Sequence, residues 1–231
     1  MLNILISFLL ITILGNHARP SNENIKLQKF TSHIADTVIT PSHYKKLGEA
    51  RGDLDKDQKE ELVIVFDTGK PTDMGTEREL RIYKMNVGEW RLWHKAIGIV
   101  LPSEHGGTKG DPFQGIEIKR GSIVINHFGG SRQVWAYNHI YRFQQNNWYL
   151  IGASISYFSS CEYFQNFDYN LSTGKINIEI TTEKCNEKDD LISSNVKKTS
   201  VSVKQKAVLM DSFQPGLTKV NLPGIKRGFY Y

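Results

Sequence analysis

Apolar and polar residues alternate along most of this chain with the two-residue period of a β-strand. Glu79 to Met85 and Glu89 to Lys95 alternate in this way around Asn86-Val87-Gly88, which predicts a hairpin. A second hairpin joins Ile116 to Lys119 and Ser122 to Ile125. With Arg120-Gly121 as its two-residue turn, Ile118 opposes Ile123 and Ile116 opposes Ile125, so all four share one face. Extending that register sets Phe113 opposite Phe128. A third hairpin runs Trp135 to Phe143 and Trp148 to Ile155 around Asn146-Asn147, and a fourth folds about Thr173. Leu62 to Phe66 is a continuous apolar run, as expected for a central strand. Thr68 to Thr76, rich in Gly, Pro and Asp, reads as a loop. Val196 to Val208 reads as a last long strand with Val201 and Val203 on one face. The end is punctuated by Pro and Gly and finishes in Phe229-Tyr230-Tyr231, an aromatic terminus expected to dock. No long 3.6-residue period interrupts this pattern. The expected fold is mainly β: antiparallel hairpins in a meander, blade-like or sandwich, with little helix.

The N-terminus changes the picture. Ile4 to Leu14 is apolar apart from Ser7 and Thr12, and too short to span a bilayer, which takes about 20 apolar residues. It fits the core of a signal peptide over residues 1–18, which predicts a secreted or periplasmic protein. No Cys sits near the end of the apolar run, so a lipoprotein anchor is not expected. Residues 19–40 form a polar lead-in, and 41–231 a single β domain with Tyr44 and Leu47 as buried anchors. No later run is apolar enough to span a membrane, so no transmembrane segment is expected in the mature chain. Net charge is +5, with Lys interleaved among Asp and Glu, and no nucleic-acid partner is expected. Only the C-terminal region is one-sidedly basic, a pattern that suits a strand with Lys on its wet side, guarding an edge, ahead of a face for an anionic polymer or membrane. Two cysteines in an exported chain imply one disulfide, and folding about Thr173 places Cys161 opposite Cys185.

The candidate chemistry lies in Gly52-Asp53-Leu54-Asp55-Lys56-Asp57-Gln58-Lys59-Glu60-Glu61, directly before the central strand. Alternate carboxylates on a tight loop suit Ca²⁺, which takes six to eight oxygen ligands. The run through Val65 resembles the calcium loop of FG-GAP and VCBS-type repeat proteins, which enters a strand of a β-propeller blade. That resemblance covers about 15 residues, in a single copy. The rest of the chain looks like uncharacterised exported bacterial proteins that carry one such loop. The resemblance implies Asp53, Asp55, Asp57 and Glu61 as side-chain ligands and Lys59 as a ligand through its backbone carbonyl. The chain departs from the repeat at the sixth loop position, where Gln58 replaces the Gly that a left-handed turn favours.

Catalytic patterns are weaker. His94, His105, His127 and His139 lie in or beside predicted strands without the spacing of a zinc motif. There is no G-x-S-x-G elbow and no P-loop. Asp111, Glu117, Glu162 and Asp168 are acids by type only. Asn170-Leu171-Ser172 is a glycosylation sequon on a turn. Of the many aromatics between 135 and 169, Trp135 and Tyr137 beside Gly129-Gly130 are the leading pair for a ligand patch. The expected function is a non-catalytic module that binds a protein or glycan at the cell surface. The alternatives are a secreted hydrolase with its site near Gly106 to Asp111 and Gly129 to Trp135, or a secreted inhibitor or effector.

Overall fold

Two antiparallel sheets, each a meander of consecutive hairpins, make up the core of the protein in its computed structural model, which describes residues 40–225 and 228–231. The predicted signal peptide and residues 19–39 lie outside the described residues. The first sheet has four strands in chain order: β1 (Lys45–Gly52), β2 (Glu61–Thr72), β3 (Gly75–Asn86) and β4 (Glu89–Ile97). The second is built from β5 (Phe113–Lys119), β6 (Ser122–Gly130), β7 (Gln133–Gln144), β8 (Asn147–Ser159), β9 (Tyr163–Asn170), β10 (Lys175–Cys185) and β11 (Leu191–Ser202). These strands also lie in sequence order, from β5 at one edge to β11 at the other. A short strand, β12 (Val208–Leu209), pairs with the start of β8, and β13 (Lys219–Val220) pairs with β14 (Phe229–Tyr230). The mainly-β expectation therefore holds. Among the described residues no helix is long and apolar enough to cross a membrane.

The two-residue period decides which side chains are buried. Val63, Val65, Leu80, Ile82 and Ala96 of the first sheet join one core with Ile123, Ile125, Tyr141, Ile155 and Phe167 of the second. β2 reads as a continuous apolar run because its other face is covered too. Leu62, Ile64 and Phe66 form a smaller cluster with Tyr83, flanked by Tyr44 and Trp90. The Arg81 guanidinium lies 4.9 Å from the Tyr44 ring and pairs with Glu79. The C-terminal aromatics pack into the same core. Phe229 stacks on Phe167 at 4.6 Å and Tyr231 stacks on Phe213 at 5.7 Å, while the Tyr231 hydroxyl donates to Gln205 Oε1.

The β5–β6 register has Ile116 opposite Ile125 and Ile118 opposite Ile123, as the pattern requires. Phe113, however, faces His127 and not Phe128, because a bulge between Phe113 and Gly115 inserts a residue, with Gly115 at φ 138°. Residues 68–76 are no open loop: β2 and β3 stay paired as far as Thr72 and Gly75. The third hairpin turns at Gln145-Asn146, both left-handed, one residue earlier than expected. The last long strand begins at Leu191 and stops at Ser202. It is the exposed edge of the large sheet and carries Lys197 and Lys198, consistent with guarding against edge-to-edge pairing. Cys161 and Cys185 are joined, with 5.3 Å between their Cα atoms, and tie the β8–β9 turn to the end of β10.

Candidate metal centre

The β1–β2 connection, residues 53–60, is closed at its base by the pair Gly52 and Glu61. Leu54, 1% exposed, anchors it in the main core. The backbone then turns around its own carboxylates, the habit of Asp in turns. Lys56 and Gln58 N–H donate to the two oxygens of Asp53, at 2.6 and 3.1 Å. Lys59 N–H donates to Asp57 Oδ1 at 2.8 Å, and Asp57 N–H to Asp55 Oδ1 at 3.3 Å. Gln58 is left-handed, φ 68°, at the position where the repeat has Gly, and Lys56 has the same φ. A side chain there costs about 1–2 kcal/mol.

These turns bring Asp53, Asp55 and Glu61 together, each offering an oxygen within 4.8 Å of the others. Oxygens bound to one Ca²⁺ at about 2.3–2.6 Å lie at most about 5 Å apart, so the trio fits a single ion. Asp57, the fourth expected carboxylate, is exposed and stands outside the trio; Lys59 is exposed as well. Glu61 is buried and accepts from Leu54 N–H at 2.7 Å. Burial pushes its pKa up, the Leu54 N–H draws it back, and the Asp55 charge raises it again. The main positive charge at the cluster is Lys84 of β3. Its ammonium pairs with Asp55 and lies 3.9 Å from the centre of the Trp93 ring. The sequence reading missed Lys84 because strand pairing, and not loop spacing, delivers it.

The other candidate residues have different partners. Gly106 and Gly129 are there for close approach. Gly130 N–H donates to Gly106 O at 2.9 Å, and a Cβ on Gly129 would lie 2.8 Å from Gly106 Cα and 2.4 Å from the Trp135 ring. Gly129→Ala is expected to cost about 1–3 kcal/mol through overpacking, read as a lower urea midpoint at unchanged slope. Asp111 is held by Arg78 Nη2 at 2.6 Å and caps Phe113 N–H at 3.0 Å. Glu117 pairs with Lys119, Glu162 with Arg132, and Asp168 accepts from Ser154 Oγ. His94 meets Asp211 at 2.8 Å. Among the described residues, the loop trio is the one group of acids, histidines or cysteines close enough to share an ion.

Trp135 and Tyr137 of the expected ligand patch lie on β7. Both residues alternate onto the inner face of β7 and stack on each other at 4.5 Å; Tyr137 is buried and Trp135 half-buried. Trp135 also lines a depression with Phe128 and Phe158, and Tyr137 one with Asn126 and Ser154; the alternate positions of the strand are Val134, Ala136 and Asn138. No family model, curated protein or solved structure matches the chain.

Proposed function

We propose that this chain is an exported, non-catalytic β domain with one calcium loop of the FG-GAP/VCBS kind, serving as a binding module for a protein or glycan at the cell surface. The observation that carries the reading is the convergence of Asp53, Asp55 and buried Glu61 on one point. Three carboxylates so close repel one another, and Ca²⁺ relieves that repulsion more fully than a single ammonium. A disulfide suits an exported chain. The residues a hydrolase would need at 106–111 and 129–135 have structural roles: Asp111 clamps Arg78, and Gly106 and Gly129 admit backbone contact.

Lys84 favours a second reading, in which its ammonium takes the cation's place and the loop works without metal. Heat denaturation separates the two. With Ca²⁺ at about 100 times its Kd, the folded state gains about 2.7 kcal/mol, read as a rise in Tm. Asp55→Ala is expected to remove most of that gain. Gln58→Gly keeps it and adds about 1 kcal/mol by relieving the left-handed turn. A Tm indifferent to both Ca²⁺ and chelator decides for the lysine.

A further inference from the structure

We propose that the outer face of the large sheet is a binding trough for a neutral, polyhydroxylated chain, that is, an oligosaccharide. This deepens the binding-module reading and rests on it.

One row of directly paired residues crosses six strands, β6 to β11: Asn126, Asn138, Ser154, Asp168, Asn177 and Ser200. At an interstrand spacing of about 4.8 Å the row is roughly 24 Å long. The solvent face of a sheet ordinarily carries Thr, Lys, Glu or aromatic residues. Asn and Asp are depleted in strands, yet here they hold four of six aligned positions, all four on interior strands. A local rule broken along one continuous line marks function more often than chance.

The row is also low. Its short side chains lie between longer neighbours such as Ile140, Arg142 and Lys198, and Gly152 lies beside it. A depression of about 740 Å³ includes Asn138, Arg142, Gly152 and Asp168, and one of about 390 Å³ continues along Asp168, Asn177 and Ser200. Its groups suit hydroxyls. Amides and serines offer donors and acceptors together, and Asp168 adds a charged acceptor. They are partly pre-set: Asn138 Nδ2 donates to Asn126 Oδ1 at 2.6 Å, and Ser154 Oγ to Asp168 Oδ1 at 3.0 Å. The apolar face of a sugar finds its match alongside. Phe128, Phe158 and Phe164 line an adjoining depression of about 520 Å³, which shares Ala136 and Ser156 with the approach to the row.

Other occupants fit less well. A nucleic acid wants a basic strip, and this row has one charge, which is negative. An extended peptide would pair with the open edge at β11, not lie across the middle of a face. The calcium loop lies at one end of the trough. Asp53 O is 3.2 Å from where a Cβ on Gly121 would sit, and the neighbouring Arg120 borders the larger depression.

The test uses the full mature chain and a panel of hexasaccharides. The neutral members are built from glucose, mannose, galactose, xylose or N-acetylglucosamine, and acidic members serve as a contrast. At least one neutral member should bind with micromolar to millimolar Kd. Asp168→Ala and Asn138→Leu should each weaken it about tenfold or more at unchanged Tm. Lys95→Ala, on the other sheet, should not. Failure of every neutral member at millimolar concentration overturns the proposal. So does binding that survives both trough variants, or binding confined to the acidic members, which would move recognition to the flanking cations. Ca²⁺ titration of the same sample separates the readings. A preserved calcium response without sugar binding sinks the trough alone.

Discussion

Acidification from about pH 7 to about pH 4.5 is expected to remove about 5 kcal/mol of folding stability, because two histidines are locked neutral in the core. His127 is 1% exposed and His139 fully buried, with their rings 6.4 Å apart. Leu101 N–H donates to His127 Nε2 at 3.2 Å, which makes that nitrogen an acceptor; His139 has no hydrogen-bond partner among the described residues and packs on Phe213 and Tyr137. Burial, aided by the nearby His105, lowers the His127 pKa to about 3. Burial and His127 hold His139 well below the usual range. Both folded pKa values lie below the unfolded value, so the unfolded state takes up protons first. Stability is then lost as pH falls from about 6.5, by about 1.4 kcal/mol per pH unit for each imidazole. Glu61 acts in the opposite sense, since its raised pKa favours the folded state as pH falls. His139→Phe isolates the imidazole effect: the pH slope of the urea midpoint should fall to about half. Equal slopes in the two proteins would refute this account of the core.

The second large effect is at Arg78. Its side chain is 2% exposed and bridges Asp67 at 2.9 Å and Asp111 at 2.6 Å. Asp67 also accepts from Thr76 Oγ1 at 2.9 Å. The guanidinium therefore fastens the loop before β5 to β2 and β3 of the other sheet. Removing one partner of a buried pair leaves uncompensated charge, at a cost of about 3–5 kcal/mol. Arg78→Ala should lose about that much, at the lower end because Asp111 is partly exposed. Arg78→Lys should recover little, since an ammonium cannot reproduce a fork with two carboxylates. Asp111→Asn should destabilise in the same direction by a smaller amount. A hydrolytic Asp111 would instead give a variant with unchanged or raised stability, so equilibrium unfolding distinguishes the clamp from a catalytic acid.

Local features were legible in the chain, and the features that depend on remote pairing were not. The Ile116–Ile125 register follows from alternation and a two-residue turn, and the Cys161–Cys185 bridge from a hairpin centre. The apolar run Leu62 to Phe66 announced a strand buried on both faces. A bulge defeats such counting, as at Phe113, because one inserted residue moves every later partner. Trp135 and Tyr137 stack on each other against the core, a placement that alternation along the chain does not settle by itself. The Asn–Ser–Asp row is invisible along the chain because each strand contributes one residue to it. Within the loop, spacing foresaw Asp53, Asp55 and Glu61 and the left-handed Gln58, but not Lys84, which arrives from β3.

Calorimetric titration of the chelator-treated mature protein with Ca²⁺ bears most directly on the calcium loop. The expected result is one ion bound per chain, with affinity weakened at least about tenfold by Asp55→Ala and strengthened by Lys84→Met, which removes the competing ammonium. A flat titration for wild type and Lys84→Met alike would contradict the calcium loop outright.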